Sequence, residues 1–280
     1  MAYGLVEDGW PASTNQYRST VAQTHRTPQY MEWYFHWGGA WSGVGDAMPF
    51  IHASRALGAT PIVTWMSDDP SNPSATPFTL AGIASGAFDS YIASWASQLR
   101  SVGGAVILRF DPEMNGNWMA WSSGRAGQQP ADYVGAWRHV HDVFRAQRAG
   151  NVLFMWSPNV EYPSSIPLAA LYPGDAFVDW AALDGYNWGT SYGHGWQTFS
   201  QVFDSSIAAV RRLTARPFLI AEVACAEAGG NKAAWIAGMF EQLRAQPWIR
   251  AFVWFDLDKE NDWRINSSPA AAASFDASLA

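Results

Sequence analysis

The feature that most limits what this chain can fold into is a repeated rhythm of apolar segments and helical stretches. Eight short apolar segments recur, at residues 2–6, 30–37, 60–66, 105–113, 151–156, 180–187, 217–224 and 250–258. They read as parallel strands, apolar because both faces are covered. Between them lie stretches with helical spacing, at residues 14–25, 47–57, 88–100, 131–148, 199–213 and 232–245, and a last one at 270–279. The stretch 131–148 is the clearest, with Tyr133, Val134, Trp137, Val140, Val143 and Phe144 on one broad face. Strand–helix alternation carried through eight strands predicts a closed (β/α)8 TIM barrel rather than an open doubly wound sheet. The 280 residues match the roughly 250 that such a barrel needs. No linker rich in Gly, Pro or Ser divides the chain, so residues 1–280 are expected to form one domain.

Composition excludes several function classes. The net charge is −7 with no basic stripe, which argues against nucleic acid as a partner. No apolar run approaches membrane-span length. The single cysteine, Cys225, rules out an intrachain disulfide and a cysteine zinc site, and reads as a small buried hydrophobe. No GxGxxG or phosphate loop follows a strand, which weakens the nucleotide-binding alternatives. The 17 tryptophans exceed what a core alone absorbs, because Trp is rarely fully buried. Exposed Trp rings stack on flat apolar faces such as those of sugars. The expected molecule is a monomer without metal or cofactor that takes a polysaccharide or oligosaccharide. The N-terminus shows no signal peptide, and a secreted form with its signal removed is preferred to a cytoplasmic one.

The chemistry concentrates in VILRFDPEMNGNWMAW, residues 106–121. An apolar strand turns within a few residues into Arg109, Asp111, Glu113 and Asn115, then into Trp118 and Trp121. Catalytic residues of α/β barrels sit at such C-terminal strand ends. A second glutamate, Glu222, closes the seventh apolar segment in FLIAEVA. Its neighbours are apolar on both sides, and burying an unpaired carboxylate costs several kcal/mol. A structural salt bridge is the plain alternative for both residues. The functional alternative is glycoside hydrolysis, which needs one carboxylic acid for the leaving oxygen and a second carboxylate for the anomeric carbon or a water. A separation of about 5 to 5.5 Å would mean retention of configuration.

RFDPEMNGNW resembles the RPxHEMNGxW motif of glycoside hydrolase family 26, a family of retaining (β/α)8 hydrolases. The resemblance implies that Glu113 is the acid/base and Glu222 the nucleophile. It places Arg109 and Trp118 on the motif's Arg and Trp, and Trp118 beside the scissile bond. LDGYN, residues 183–187, resembles the family's strand-six DxYN, which implies that Tyr186 hydrogen-bonds the nucleophile. Trp254 resembles the aromatic floor of the clan. Pro112 stands where the family has His, and proline supplies no side-chain donor. Asp111 is the candidate substitute. The resemblance implies an endo-hydrolase of β-mannan type, with mixed-linkage β-glucan and β-1,3-xylan open because of Pro112. A barrel that binds carbohydrate without cleaving it is the rival from another class.

Further candidate sugar contacts are His36, Trp65 and Asn115. Trp65 is preferred among the strand-end tryptophans (with Trp37, Trp156 and Trp188) because a long polar loop, residues 67–77, follows it. That loop, residues 38–45 and residues 189–195 are expected to wall the cleft. His139 and His141, two apart on a helix, share no face and read as solvated rather than metal-binding. Asp68 and Asp69 read as loop caps, Asp184 as a supporting acid and Glu227 as a solvated rim residue. Asp256 and Asp258 are weaker candidates for substrate contact.

Overall fold

The computed structural model describes residues 1–39, 43–72, 77–125 and 127–279. The loop residues 40–42 and 73–76, within two of the expected cleft walls, lie outside the described residues. Eight strands form a closed barrel in sequence order, every neighbouring pair parallel: β1 (Ala2–Glu7), β2 (Tyr30–His36), β3 (Thr60–Met66), β4 (Val106–Phe110), β5 (Val152–Trp156), β6 (Trp180–Asn187), β7 (Phe218–Cys225) and β8 (Ile249–Asp256). β8 pairs back onto β1, which removes both sheet edges. Around it run α1 (Asn15–Thr24), α2 (Val44–Ala56), α3 (Leu80–Ala84), α4 (Asp89–Ser101), α5 (Pro130–Ala146), α6 (Phe199–Leu213), α7 (Lys232–Ala245) and α8 (Pro269–Leu279). This is the (β/α)8 barrel that the strand–helix rhythm implies.

Alternation along each strand divides the side chains between two cores. On β3 and β4 the paired residues Trp65 and Phe110 point outward, where Trp65 meets Trp95 at 5.0 Å and Phe110 meets Trp137 at 6.1 Å between ring centroids. Their neighbours Thr64 and Arg109, also paired, point into the barrel. Much of the tryptophan excess is absorbed by the outer layer between strands and helices.

Three local departures from the sequence reading bear on the site. β4 stops at Phe110, and residues 111–113 form a turn in which Asp111 and Glu113 take positive φ of 43° and 55°. Helix α2 starts at Val44 rather than 47, its first turn closed by the Asp46 carboxylate accepting from the Gly43 amide at 3.1 Å. Strand β7 runs on past Glu222 to Cys225 and carries a bulge. Leu183 pairs with Ile220, yet the next residue, Asp184, pairs with Glu222. The extra residue, Ala221, resets the alternation, so Ile220 and Glu222 face opposite sides although two apart. The bulge thus turns Glu222 into the barrel beside Asp184.

Candidate active site

The C-terminal mouth of the barrel holds a cleft of about 1000 Å³. At its floor a single guanidinium gathers three carboxylates from three strands. Arg109 on β4 donates to Glu32 on β2 at 2.7 Å, to Glu222 on β7 at 2.6 Å, and to Asp184 on β6. Asp184 also accepts from Ser157 at 2.7 Å, and the Thr64 hydroxyl donates to Glu32. Burial on its own would pull the Arg109 pKa down, but the three carboxylates outweigh it and hold the group charged. One positive charge cannot balance three negative ones. Burial, offset by Arg109 and reinforced by the Glu222 charge, accordingly pushes Glu32 up to about 7. Burial likewise raises Asp184 well above the usual carboxylate range.

Glu222 rises from this floor into the cleft and collects further donors. The Tyr34 hydroxyl donates to its Oε1 at 2.7 Å, and the Tyr186 hydroxyl to its Oε2. Burial and the Glu222 charge raise both phenols well above their ordinary value, so both remain O–H donors. With Arg109, three donors converge on one carboxylate, an arrangement that suits its charged form.

Glu113 stands opposite, held by the turn after β4. Its backbone amide donates to Ser157 O at 2.9 Å, and its carbonyl accepts from the Gly116 amide at 3.0 Å. The Trp118 indole folds back over Gly116 and donates to Glu113 Oε2 at 2.7 Å. A Cβ on Gly116 would come within 2.7 Å of the indole ring, so only glycine lets Trp118 reach the carboxyl. Burial first, then the Glu222 charge, pushes Glu113 up to about 7 against the opposing Trp118 bond. Carboxylate oxygens of Glu113, Glu222 and Asp184 lie within 4.8 Å of one another, the spacing of a metal-ligand set. The Arg109 guanidinium already supplies the positive charge there.

The other residues singled out from the sequence divide in two. Trp118, 44% exposed and 5.7 Å from the Tyr162 ring, lines the cleft with Tyr186 and His36. His36 is oriented by Asp68, whose carboxylate lies 2.6 Å from Nδ1, so Asp68 is a cleft residue rather than a loop cap alone. The remaining candidates are corrected by the structure. Trp65 is 0% exposed, because it points outward into the cluster with Trp37, Tyr91 and Trp95. Trp254 is equally buried on the outer face, its indole donating to Trp263 O at 2.9 Å, and is no cleft floor. Asn115 has no exposed surface for a sugar: it is a staple, donating to Asn159 O at 2.8 Å and accepting from Asn159 N at 2.9 Å. Arg109 lies beneath the cleft, fully buried, and reaches Glu222 rather than substrate. Asp111 does not stand in for the missing histidine, since both its oxygens accept from Ser67 at 2.7 Å. Asp256 is buried on the outer face, where it accepts from the Ile265 amide at 2.6 Å.

Glu32, Tyr34 and Trp263 were not singled out from the sequence. The first two had a signal: Glu32, Tyr34 and His36 are spaced two apart on β2, the period of one strand face. Trp263 had none, because it lies in the loop after β8.

The sequence profile of "Glycosyl hydrolase family 26" matches residues 84–279, well over half of the chain. The chain belongs to glycosyl hydrolase family 26. A curated relative, "Endoglucanase H" of Acetivibrio thermocellus, is 36% identical over 233 residues, covering 81% of this chain and 25% of its own length. "Mannan endo-1,4-beta-mannosidase A and B" of Caldalkalibacillus mannanilyticus is 33% identical over 103 residues, covering 34% of this chain and 19% of its own. The chain therefore spans a quarter or less of these two relatives. Among solved structures, a modular endo-β-1,4-mannanase from Cellulomonas fimi superposes with a TM-score of 0.72 at 16% identity, covering all of this chain and 70% of that one. At that identity the likeness concerns the fold.

Proposed function

We propose that this family 26 barrel is a retaining endo-hydrolase of a β-linked polysaccharide of β-mannan type, with Glu222 as nucleophile and Glu113 as acid/base. The observation that carries the reading is a pair of carboxyls within 4.8 Å whose surroundings are opposed. Glu222 accepts from Arg109, Tyr34 and Tyr186, whereas Glu113 is half-buried and its carboxyl is pushed up to about 7. Spacing this short suits the roughly 5 to 5.5 Å of direct attack by a carboxylate rather than the roughly 6.5 to 9.5 Å that places a water for inversion. A cleft of about 1000 Å³, at the top of the range for small-ligand pockets, has room beyond one sugar ring and suits internal cleavage.

In the first step the Glu113 proton passes to the glycosidic oxygen while a Glu222 oxygen bonds to the anomeric carbon. The bond to the leaving sugar breaks, and its electron pair stays on the departing oxygen. Esterification removes the Glu222 charge, which is one of the causes of the raised Glu113 pKa. Glu113 is thereby left as a carboxylate able to take a proton from water. That water attacks the anomeric carbon, the ester breaks, and Glu222 is restored as a carboxylate. Tyr34 and Tyr186 hold the nucleophile's oxygens throughout, and Trp118 orients the acid.

A second substrate reading, β-glucan of mixed linkage, is favoured by Pro112 in place of the family's histidine. The 36% identity to a protein named an endoglucanase points the same way. A polymeric substrate is consistent with action outside the cell. The test is reducing-sugar release from β-mannan, mixed-linkage β-glucan and β-1,3-xylan by the wild type and the Glu113→Ala variant. Release by the wild type alone supports the hydrolase and names its glycan. Silence on every polymer, with sugar binding retained, would support the non-catalytic barrel.

A further inference from the structure

Lys232 is a buried cation that the catalytic reading does not use. It opens helix α7, where a positive charge is disfavoured by the helix dipole. It is 1% exposed, and among the described residues no carboxylate pairs with it within 4.0 Å. Burying a charge without an ionic partner is costly unless its protons are otherwise bound. All three are bound, and all to the loop between β8 and α8. Lys232 Nζ donates to Asp262 O at 3.3 Å, Arg264 O at 2.8 Å and Ser267 Oγ at 2.8 Å, and lies 5.8 Å from the Trp254 ring centroid.

The first two acceptors flank Trp263. The Trp263 amide donates to Leu257 O at 2.9 Å and its carbonyl accepts from Trp254, so its backbone is clamped from three sides. Its ring faces the cleft, 5.1 Å from Tyr186 and 5.0 Å from Trp188 between centroids. Tyr186 in turn donates to Glu222. A chain of contacts thus runs from Lys232 through the carbonyls on either side of Trp263 to the Trp263 ring, to Tyr186 and to the nucleophile.

We propose that Lys232 is a positioning residue for hydrolysis: it anchors the loop 257–268 so that Trp263 backs Tyr186 against Glu222. The inference rests on the assignment of Glu222 as nucleophile. Methionine matches lysine in length without its donors, so the variant is Lys232→Met, with Ser267→Ala as a milder loss of one bond. Two readouts are taken on the full chain: kcat and KM on the glycan that the wild type cleaves, below the melting temperature of each variant, and amide hydrogen exchange by segment. In Lys232→Met, kcat is expected to fall by at least about tenfold with KM changed by less than about threefold. A small misplacement remote from the reacting atoms is enough for such a loss. Exchange should quicken in residues 257–268 and around Tyr186, and not in β3 or α4. Ser267→Ala should fall between the variant and the wild type.

Wild-type kcat together with wild-type exchange in the loop would overturn the proposal. So would exchange quickened throughout the chain with kcat intact wherever the protein is folded, since that is the mark of a purely structural lysine. If the wild type cleaves no glycan, the hydrolase reading fails, and with it the catalytic role of Lys232. The exchange arm would still show separately whether Lys232 anchors the loop.

Discussion

Glu7, at the end of β1, offers a quantitative test of the buried electrostatics away from the cleft. It is 1% exposed and pairs in register with Asp256 on β8. Burial, and then the Asp256 charge, pushes its pKa up from 4.5 to about 8, against the Thr20 hydroxyl. The folded state therefore holds a proton that the unfolded chain releases above pH 4.5. Where the native state binds more protons, stability falls as pH rises. The contribution is intact below pH 4.5 and is lost progressively up to the folded value of about 8. At about 1.36 kcal/mol per pH unit, the loss reaches about 3 kcal/mol at pH 7 and about 5 kcal/mol above pH 8. Asp256 shares the site, so these are upper limits. Glu7→Gln keeps the shape and removes the ionisation. Urea unfolding of both proteins at pH 5, 7 and 9 is the assay. Glu32 and Glu113, also raised, impose a similar slope on both proteins, so the difference between them isolates Glu7. The variant should gain on the wild type by a few kcal/mol between pH 5 and 9. Parallel pH curves would refute the reasoning, because a glutamate ionised in both states contributes no difference in slope.

Glu113→Gln should cut hydrolysis of a natural polysaccharide by at least about a thousandfold, while aryl glycosides with acidic leaving groups lose far less, as steady-state rates on both substrates will show. In the wild type, kcat/KM should fall as pH rises through about 7, where Glu113 loses its proton. Trp118→Phe removes a hydrogen bond that lowers the Glu113 pKa, so the alkaline limb of the pH profile should move upward. Arg109→Met leaves Glu32, Asp184 and Glu222 without their shared cation, and denaturant titration should find it about 3–5 kcal/mol less stable. Trp65→Ala should cost a similar roughly 3–5 kcal/mol by emptying the outer aromatic cluster, with KM unchanged where the protein is folded. A raised KM there would return Trp65 to the cleft.

The sequence by itself determined the barrel, because the identity of each layer is written into local patterns. Continuous apolar runs require strands covered on both faces, and helical spacing between them supplies the cover. It also brought Glu113, Glu222 and Arg109 to attention, since charged residues beside buried strand ends are hard to place elsewhere. What it left undecided was direction. Trp65 and Trp254 look like strand-end aromatics in the sequence, but register turns both outward into helix packing. Asn115 and Asp111 look like free polar groups, yet each is spent on a neighbouring strand's loop 44 residues away in sequence. Glu222 faces the cleft only because an extra residue in β7 breaks the two-residue period, and a bulge leaves no mark in composition. The convergence of Glu32, Asp184 and Glu222 on one guanidinium joins β2, β4, β6 and β7, whose inward side chains meet across the interior only once the barrel has closed. Tertiary structure alone decided which carboxyl keeps a proton, because burial and the neighbouring charges exist only after closure.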